Sequence, residues 1–240
     1  MLRLVAVTHG APSVANREAV IRLVDGVASA RPDLDVSITF VDASHADVGS
    51  ALEASTGPHT VIVPLVLSAG FHVRTGLSLA LDRLGGDVRL AAELGPDDRI
   101  VDVLAARLAE LGLAEGDAVL LAAAGSNDPR AVRECFETAR RLGQRLGRPV
   151  TAGFIAAAIP RLPDAIEMIR EVHPGSRIVV CPYLLAPGTF YDQARAAGAD
   201  AVGDPLLRPD RVAPEALVDL VLDRYAAASA AGGAERRERA

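Results

Sequence analysis

The chain has 240 residues, of which 50% are apolar, 3% aromatic and 23% charged, a composition typical of a soluble globular protein. This length suffices for one large domain or for two domains of about 115 residues, each with its own core. The formal net charge of −6 disfavours a general nucleic-acid-binding surface, and the sequence contains no basic block or RNA-binding aromatic motif.

The N-terminal residues 2–7 have the pattern of a strand rather than of a signal peptide. No stretch reaches the roughly 18 consecutive apolar residues that a membrane-spanning helix requires. Cys135 and Cys181 are far apart in the sequence and lack CxxC partners, which disfavours both a disulfide framework and a zinc knuckle. We therefore expect a cytoplasmic protein with two buried cysteines and with neither a membrane nor a nucleic-acid partner.

Short apolar runs alternate with segments of helical periodicity, which is typical of βαβ units and a parallel sheet. In the first half we predict strands at 2–7, 35–41, 60–67 and 88–92, and helices at 15–29, 47–54, 73–84 and 98–112. In the second half we predict strands at 118–123, 149–156, 177–184 and 200–203, and helices at 129–146, 162–172, 189–196 and 213–227. Near-continuous apolar strands require helices on both faces. The prediction is an α/β fold with two doubly wound parallel-sheet lobes.

An internal repeat relates the two halves of the chain. Residues 5–12 match 120–127, residues 36–42 match 150–156, and residues 63–72 match 181–190. The repeat predicts an N-terminal lobe at 1–113 and a C-terminal lobe at 117–228, joined by a short link that contains glycine. Residues 229–240 are predicted to be a flexible tail. We expect a ligand cleft between the two lobes.

Three metal-ligating side chains are present in the first repeat and absent from the second, where His9, Asp42 and His72 become Ala124, Ala156 and Phe190. All three follow predicted parallel strands, so they should project from the carboxyl edge, where open α/β sheets bind ligands. Two imidazoles and one carboxylate suit Fe²⁺, Co²⁺, Ni²⁺ or Zn²⁺. Three protein ligands leave coordination positions open for a metal that reacts or is passed on. The alternative is that the three residues only cap helices and turns.

Other residues near this edge are candidate ligand contacts. Gly10 and Gly70 stand near the two histidines and would let a flat ligand approach the backbone closely. Arg74 lies at a predicted helix start, where its guanidinium and backbone N–H groups would bind a carboxylate, or it is a surface charge. His45, three residues after Asp42, is either a further ligand or a solvated histidine.

In the second lobe, the loop equivalent to the one after His9 contains Asn127, Asp128 and Arg130. Arg130 would bind acidic groups of a ligand across the cleft. The favoured alternative is that Asn127 or Asp128 caps the following helix while Arg130 is solvated. No GxxxxGK[ST] phosphate loop, GxGxxG fingerprint or GxSxG elbow is present, so the sequence does not imply ATP hydrolysis, dinucleotide binding or acyl transfer.

The sequence resembles the class II, ATP-independent tetrapyrrole chelatases, the sirohydrochlorin ferrochelatase and cobaltochelatase group. The resemblance extends over nearly the whole chain, from His9-Gly10 through the run that ends in His72 to the degenerate second repeat. It implies a chelatase-like fold in which His9, Asp42 and His72 bind the metal and act in catalysis. The chain has Asp42 where the family more often has Glu.

The resemblance also implies a reaction: a lyase inserts Fe²⁺, or else Co²⁺, into sirohydrochlorin without ATP, for siroheme or cobalamin synthesis. The divalent metal is then a substrate, and no further cofactor is expected. His9 and His72 would hold the ion or accept pyrrole protons, and Asp42 would offset the ion's charge. Two alternatives stay open: a non-catalytic bilobal protein that binds metal or tetrapyrrole, and a degenerate scaffold without a metal. Both a monomer and a homodimer are compatible with the sequence.

Overall fold

The computed structural model describes residues 2–9, 13–41, 57, 59–68, 81 and 88–238, and of these it describes only the backbone for His9 and for residues 232–238. The strands within these residues are β1 (Arg3–His9), β2 (Asp35–Val41), β3 (Thr60–Pro64), β4 (Val88–Leu90), β5 (Ala118–Ala123), β6 (Val150–Phe154), β7 (Ile178–Tyr183) and β8 (Ala201–Val202). The helices are α1 (Val14–Ala30), α2 (Asp98–Glu110), α3 (Pro129–Leu146), α4 (Leu162–Val172), α5 (Thr189–Arg195) and α6 (Glu215–Glu238). The predicted helices at 47–54 and 73–84 lie outside the described residues, apart from Leu81.

The described strands form two parallel sheets of the same topology, with the orders β2-β1-β3-β4 and β6-β5-β7-β8. The strand register reproduces the sequence repeat. Leu4 pairs with Val36 and Val61, and its repeat counterpart Val119 pairs with Val150 and Val179. The predicted α/β fold with two parallel-sheet lobes is therefore confirmed, and the repeat is a repeat of structure as well as of sequence.

Helices cover both faces of the second sheet. On one face α4 and α5 pack through a cluster of buried side chains: Leu120, Ala122, Leu162, Ala165, Ile166, Ile178, Val180 and Ala194. On the other face, Cys181 Sγ lies 3.9 Å from the carbonyl oxygen of Leu104 in α2. The ring of Phe136 in α3 meets that of Phe154 edge-on, with 5.5 Å between their centroids. This two-sided burial explains why β5 and β7 are continuous apolar runs.

In the first sheet, one face carries a buried cluster of Val5, Val7, Val41 and Ile62, against which Leu81, Val88 and Leu90 pack. Helix α6 packs against β3 and β4. Its Arg224 donates to the carbonyl oxygens of Glu93 and Leu94 at 2.8 and 2.9 Å. These hydrogen bonds attach the C-terminal helix to the segment that follows β4.

The compact units of the structure differ from the two sequence repeats in their helices. One unit consists of Met1–Pro12, Val20–Leu94 and Val212–Ala240, and the other of Ser13–Ala19 and Gly95–Arg211. Helix α2, at the end of the first repeat, packs with α3 and β7 in the second unit. The predicted boundary at 113–117 follows the sequence repeat. It therefore assigns α2 to the first lobe and α6 to the second, whereas α2 belongs to the second compact unit and α6 to the first. The cleft predicted between the lobes stays a prediction.

Helix α6 is longer than predicted, since it continues to Glu238 and so includes most of the segment predicted to be a flexible tail. The added residues are mostly Ala, Glu and Arg, which are strong helix formers. Neither α6 nor any other helix in the described part of the chain is long and apolar enough to cross a bilayer.

Candidate metal and ligand site

The carboxyl edge of the first sheet is where the sequence predicts the metal site. The backbone of His9, the last residue of β1, pairs with Val41, the last residue of β2. Asp42 is bonded directly to Val41. The register therefore brings together the strand ends from which the imidazole of His9 and the carboxylate of Asp42 are predicted to project.

The chain after β3 runs toward the same edge. Leu65 N donates to the Val7 oxygen at 2.7 Å, and the Val66 oxygen accepts from Leu94 N at 2.9 Å. The remaining predicted site residues lie outside the described residues, as does the side chain of His9: Gly10, Asp42, His45, Gly70, His72 and Arg74. Their roles stay predictions. Elsewhere, no group of three or more His, Cys, Asp or Glu side chains among the described residues is arranged to hold a metal.

The same edge of the second lobe is fully described and shows how the repeat builds it. Ala156 N donates to the Ala124 oxygen at 2.9 Å, so the counterparts of His9 and Asp42 are hydrogen-bonded neighbours. Gly125 has a φ of +91°, and a Cβ on it would lie 1.8 Å from the Ala156 oxygen. Only glycine fits this turn. The second lobe thus places two methyl groups where the first lobe has two candidate ligands.

The loop after Gly125 caps a helix. Asp128 Oδ1 accepts from Arg130 N at 2.8 Å at the start of α3, and Ser126 Oγ accepts from Asp128 N at 3.0 Å. The exposed Arg130 forms an ion pair with Glu134, with Nε 3.0 Å from Oε1. The capping alternative is therefore the one that the structure shows for Asp128, and Arg130 already has a carboxylate partner.

Sequence reasoning missed the loop after β6, because its residues 156–160 are apolar and have no ligating groups. Ala157 adopts a left-handed φ of 58°, and Ile159 is 81% exposed. Phe154 N donates to the Pro160 oxygen at 2.9 Å, and Arg161 Nη1 donates to the Ile155 oxygen at 3.2 Å. The sequence feature that could have identified this loop is the repeat, since residues 36–54 align with 150–168 without a gap.

Two buried acids of the second lobe are held in their neutral forms. Burial raises the pKa of the Cys181 thiol to about 12. Burial also raises the pKa of the Tyr183 phenol, although its hydrogen bond with Thr138 opposes the shift. Because neither group ionises near neutral pH, neither supplies an anion for metal binding or proton transfer. Both Cys135 and Cys181 are buried and form no disulfide, as predicted.

Comparison with known proteins reveals relatives of both halves. Residues 3–111 and 118–200 match the CbiX family model. A sirohydrochlorin cobaltochelatase of Methanosarcina barkeri is 28% identical over 124 residues, which cover 45% of this chain and 95% of the relative. That relative therefore corresponds to about half of the chain.

Two solved structures share the fold over nearly the whole chain. The structure of SirB from Bacillus subtilis with Fe³⁺ has a TM-score of 0.74 at 18% identity and covers 98% of both chains. The structure of CbiX described as the terminal enzyme for biosynthesis of siroheme in denitrifying bacteria has a TM-score of 0.65 at 21% identity, with 94% of this chain and 99% of that chain covered. At these identities the likeness concerns the fold alone.

Proposed function

The chain belongs to the CbiX family, and we propose that it is a sirohydrochlorin chelatase that inserts Fe²⁺ or Co²⁺ into sirohydrochlorin without ATP. The observation that carries the proposal is the first-lobe edge, where β1 and β2 end side by side at His9 and Val41. Matched strand registers in the two lobes support the correspondence of these positions, and the sequence has the candidate ligands only in the first copy. The cobaltochelatase relative is named for sirohydrochlorin and cobalt, and the SirB structure contains Fe³⁺, which supports this substrate and these two metals.

In this proposal the metal ion is a substrate. Insertion of a divalent ion into the macrocycle displaces two pyrrole N–H protons, so the products are the metal complex and two protons. His9 and His72, as neutral imidazoles, hold the incoming ion or accept these protons. Asp42 offsets the ion's charge and helps to accept protons.

Binding of the macrocycle requires close approach and charge compensation. Gly10 and Gly70 leave room for a flat ligand against the backbone. Sirohydrochlorin carries eight carboxylates, whereas the chain has a net charge of −6, so cations near the site must offset the repulsion. Arg74, at a predicted helix start, is the residue proposed to bind a substrate carboxylate.

The test is anaerobic absorbance spectroscopy of sirohydrochlorin with Fe²⁺ and, separately, with Co²⁺. We expect the parent protein to accelerate the spectral change of metal insertion. His9→Ala and His72→Ala should each slow it by about 100-fold or more, the usual contribution of a proton acceptor or metal ligand. His173→Ala is the matched control, because His173 is exposed at the C-terminal end of α4.

Two outcomes would contradict the proposal. Rates with the parent equal to those of metal and macrocycle alone would exclude a chelatase and would leave a metal- or tetrapyrrole-binding protein. Acceleration that survives both histidine substitutions would place the reaction away from the first-lobe edge. Comparison of the two metals then decides between iron and cobalt.

A further inference from the structure

Because residues 36–54 align with 150–168 without a gap, the comparison of the two edges extends beyond the three predicted ligands. It pairs His45 with Ile159, in addition to pairing Asp42 with Ala156. The polar residues His9, Asp42, His45 and His72 of the first lobe therefore have the counterparts Ala124, Ala156, Ile159 and Phe190. Two of these counterparts are small, and two are large apolar side chains.

Both large counterparts are exposed to solvent, Ile159 by 81% and Phe190 by 43%. They lie on the same layer of the lobe, because α4, which follows Ile159, and α5, which contains Phe190, pack on one face of the sheet. They also lie at the same edge, since Ile159 follows β6 and Phe190 lies in the first turn of α5, after β7. β6 and β7 flank β5, which separates their ends by about 10 Å.

The exposure of Ile159 is built into the loop that carries it. Backbone hydrogen bonds hold both ends of the loop, from Ile155 N to the Ala123 oxygen at 2.9 Å and from Phe154 N to the Pro160 oxygen at 2.9 Å. Between them, Ala157 is in the left-handed region with a φ of 58°, where a residue with a side chain is strained. The fold thus holds a β-branched apolar side chain in water at the carboxyl edge of the sheet, although burying it would be favourable.

From these observations we propose that Ile159 and Phe190 form an apolar contact surface for the flat face of the tetrapyrrole macrocycle. This inference rests on the proposed function, since the macrocycle is the substrate proposed there. In the first lobe the edge is polar and suits the metal, whereas in the second lobe the same edge is apolar and suits the ring.

A positive charge next to this apolar surface also suits the tetrapyrrole. Arg161 directly follows the loop and is exposed, and its guanidinium donates to the Ile155 oxygen. Within the described ranges, it has no ion pair with an acidic side chain, unlike Arg130 with Glu134. A macrocycle with carboxylates on its periphery presents an apolar face to Ile159 and an anion to Arg161.

If Ile159 and Phe190 contact the ring face, their substitution should weaken macrocycle binding and leave the rate of metal insertion at saturation unchanged. Contacts with the ring face are the same before and after metal insertion, so their loss weakens binding and leaves the rate at saturation unchanged. We expect Ile159→Ser and Phe190→Ser each to raise the Kd for metal-free sirohydrochlorin about tenfold. The double variant should show a larger increase, and kcat for metal insertion should stay within about twofold of the parent.

The experiment is an absorbance titration of the parent and variants with metal-free sirohydrochlorin, together with calorimetric titration of Co²⁺. Val172→Ser is the matched control, because Val172 is 69% exposed but ends α4, at the opposite edge of the sheet. Thermal unfolding midpoints equal to that of the parent would confirm that the exposed substitutions leave the fold intact. Co²⁺ affinity should be the same in all variants.

The outcomes separate this inference from the proposed function. If the parent inserts metal but Ile159→Ser and Phe190→Ser bind sirohydrochlorin as Val172→Ser does, the apolar surface is overturned and the chelatase stands. If the parent binds sirohydrochlorin without inserting metal and both variants lose binding, the surface is supported and the chelatase fails. A parent that does not bind sirohydrochlorin overturns both.

Discussion

Arg107 shows how a single buried cation can fix a loop. Its side chain is only 7% exposed, in the last turn of α2. Nε and Nη2 donate to the carbonyl oxygens of Pro205 and Leu206 at 3.2 and 2.8 Å, and Nη1 lies 3.1 Å from Glu110 Oε1. Burial lowers the pKa of the guanidinium, but arginine remains protonated. The segment that follows β8 is thus attached to a helix far away in the sequence.

We expect Arg107→Met to destabilise the protein by about 2–4 kcal/mol, because it leaves two buried carbonyl oxygens without donors. The measurement is urea unfolding of the parent and the variant. Arg145→Met is the matched control, since Arg145 forms an ion pair with Asp102 in which both side chains are 59% exposed. Exposed pairs contribute little, so equal losses in the two variants would contradict the role assigned to Arg107.

Cys181 predicts a specific dependence of stability on pH. Its thiol has a pKa of about 12 in the folded protein, whereas an unfolded thiol titrates near 8.5. Above about pH 8.5 the unfolded state therefore binds fewer protons than the folded state, and the stability falls as the pH rises. Well below that pH, the thiol is protonated in both states, and its ionisation does not reduce the stability. Tyr183 adds a loss of the same sign above about pH 10, because its pKa is raised too.

Cys181→Ala should remove the thiol's part of this pH dependence. Between pH 8 and 10, we expect the free energy of unfolding of the parent to fall by about 2 kcal/mol more than that of the variant. Urea unfolding at the two pH values measures the difference, and the variant's overall stability does not affect it. Identical losses in the two proteins would show that the thiol ionises equally in both states.

Among the connecting elements, the turn between β5 and α3 gives the sharpest test. Gly125→Ala introduces a Cβ 1.8 Å from the Ala156 oxygen, which forces the backbone to move. We expect a loss of more than about 3 kcal/mol. Gly147→Ala is the control that measures backbone strain without a steric clash, because Gly147 has a φ of +68° and no atom lies within 4 Å of its Cβ position. That control should lose about 1 kcal/mol in urea unfolding.

The sequence predicted the elements well where burial alone determines the pattern. The pattern predicts β3 at 60–67, but the strand ends at Pro64, whereas β7 continues one residue past the equivalent Pro182. The site edge was predictable because parallel strands place their carboxyl ends together. The loop of Ile159 was not, because the left-handed Ala157 is not a glycine and gives no turn signal.

At the scale of the whole molecule, the position of α2 shows what a sequence pattern leaves open. Its amphipathic face buries Ile100, Val101, Val103, Leu104, Ala105 and Leu108. An apolar stripe of this kind predicts that a helix is buried, but not which sheet it covers. Since sequential elements are usually neighbours, the sequence favoured the first lobe. The structure places α2 in the second unit, where its Asp98 and Asp102 form ion pairs with Arg141 and Arg145 of α3.

This arrangement predicts which part of the chain folds by itself. A fragment of residues 95–211 contains the second sheet and α2, so it should unfold cooperatively on heating, as followed by near-ultraviolet circular dichroism. A fragment of residues 117–228 follows the sequence repeat but lacks α2. Without α2, the sheet loses its contacts with six buried apolar side chains of that helix. Full burial of a large aliphatic side chain stabilises a protein by about 1.5–3 kcal/mol. We expect this fragment to lack a cooperative transition, and equal cooperativity in the two fragments would contradict the assignment of α2 to the second unit.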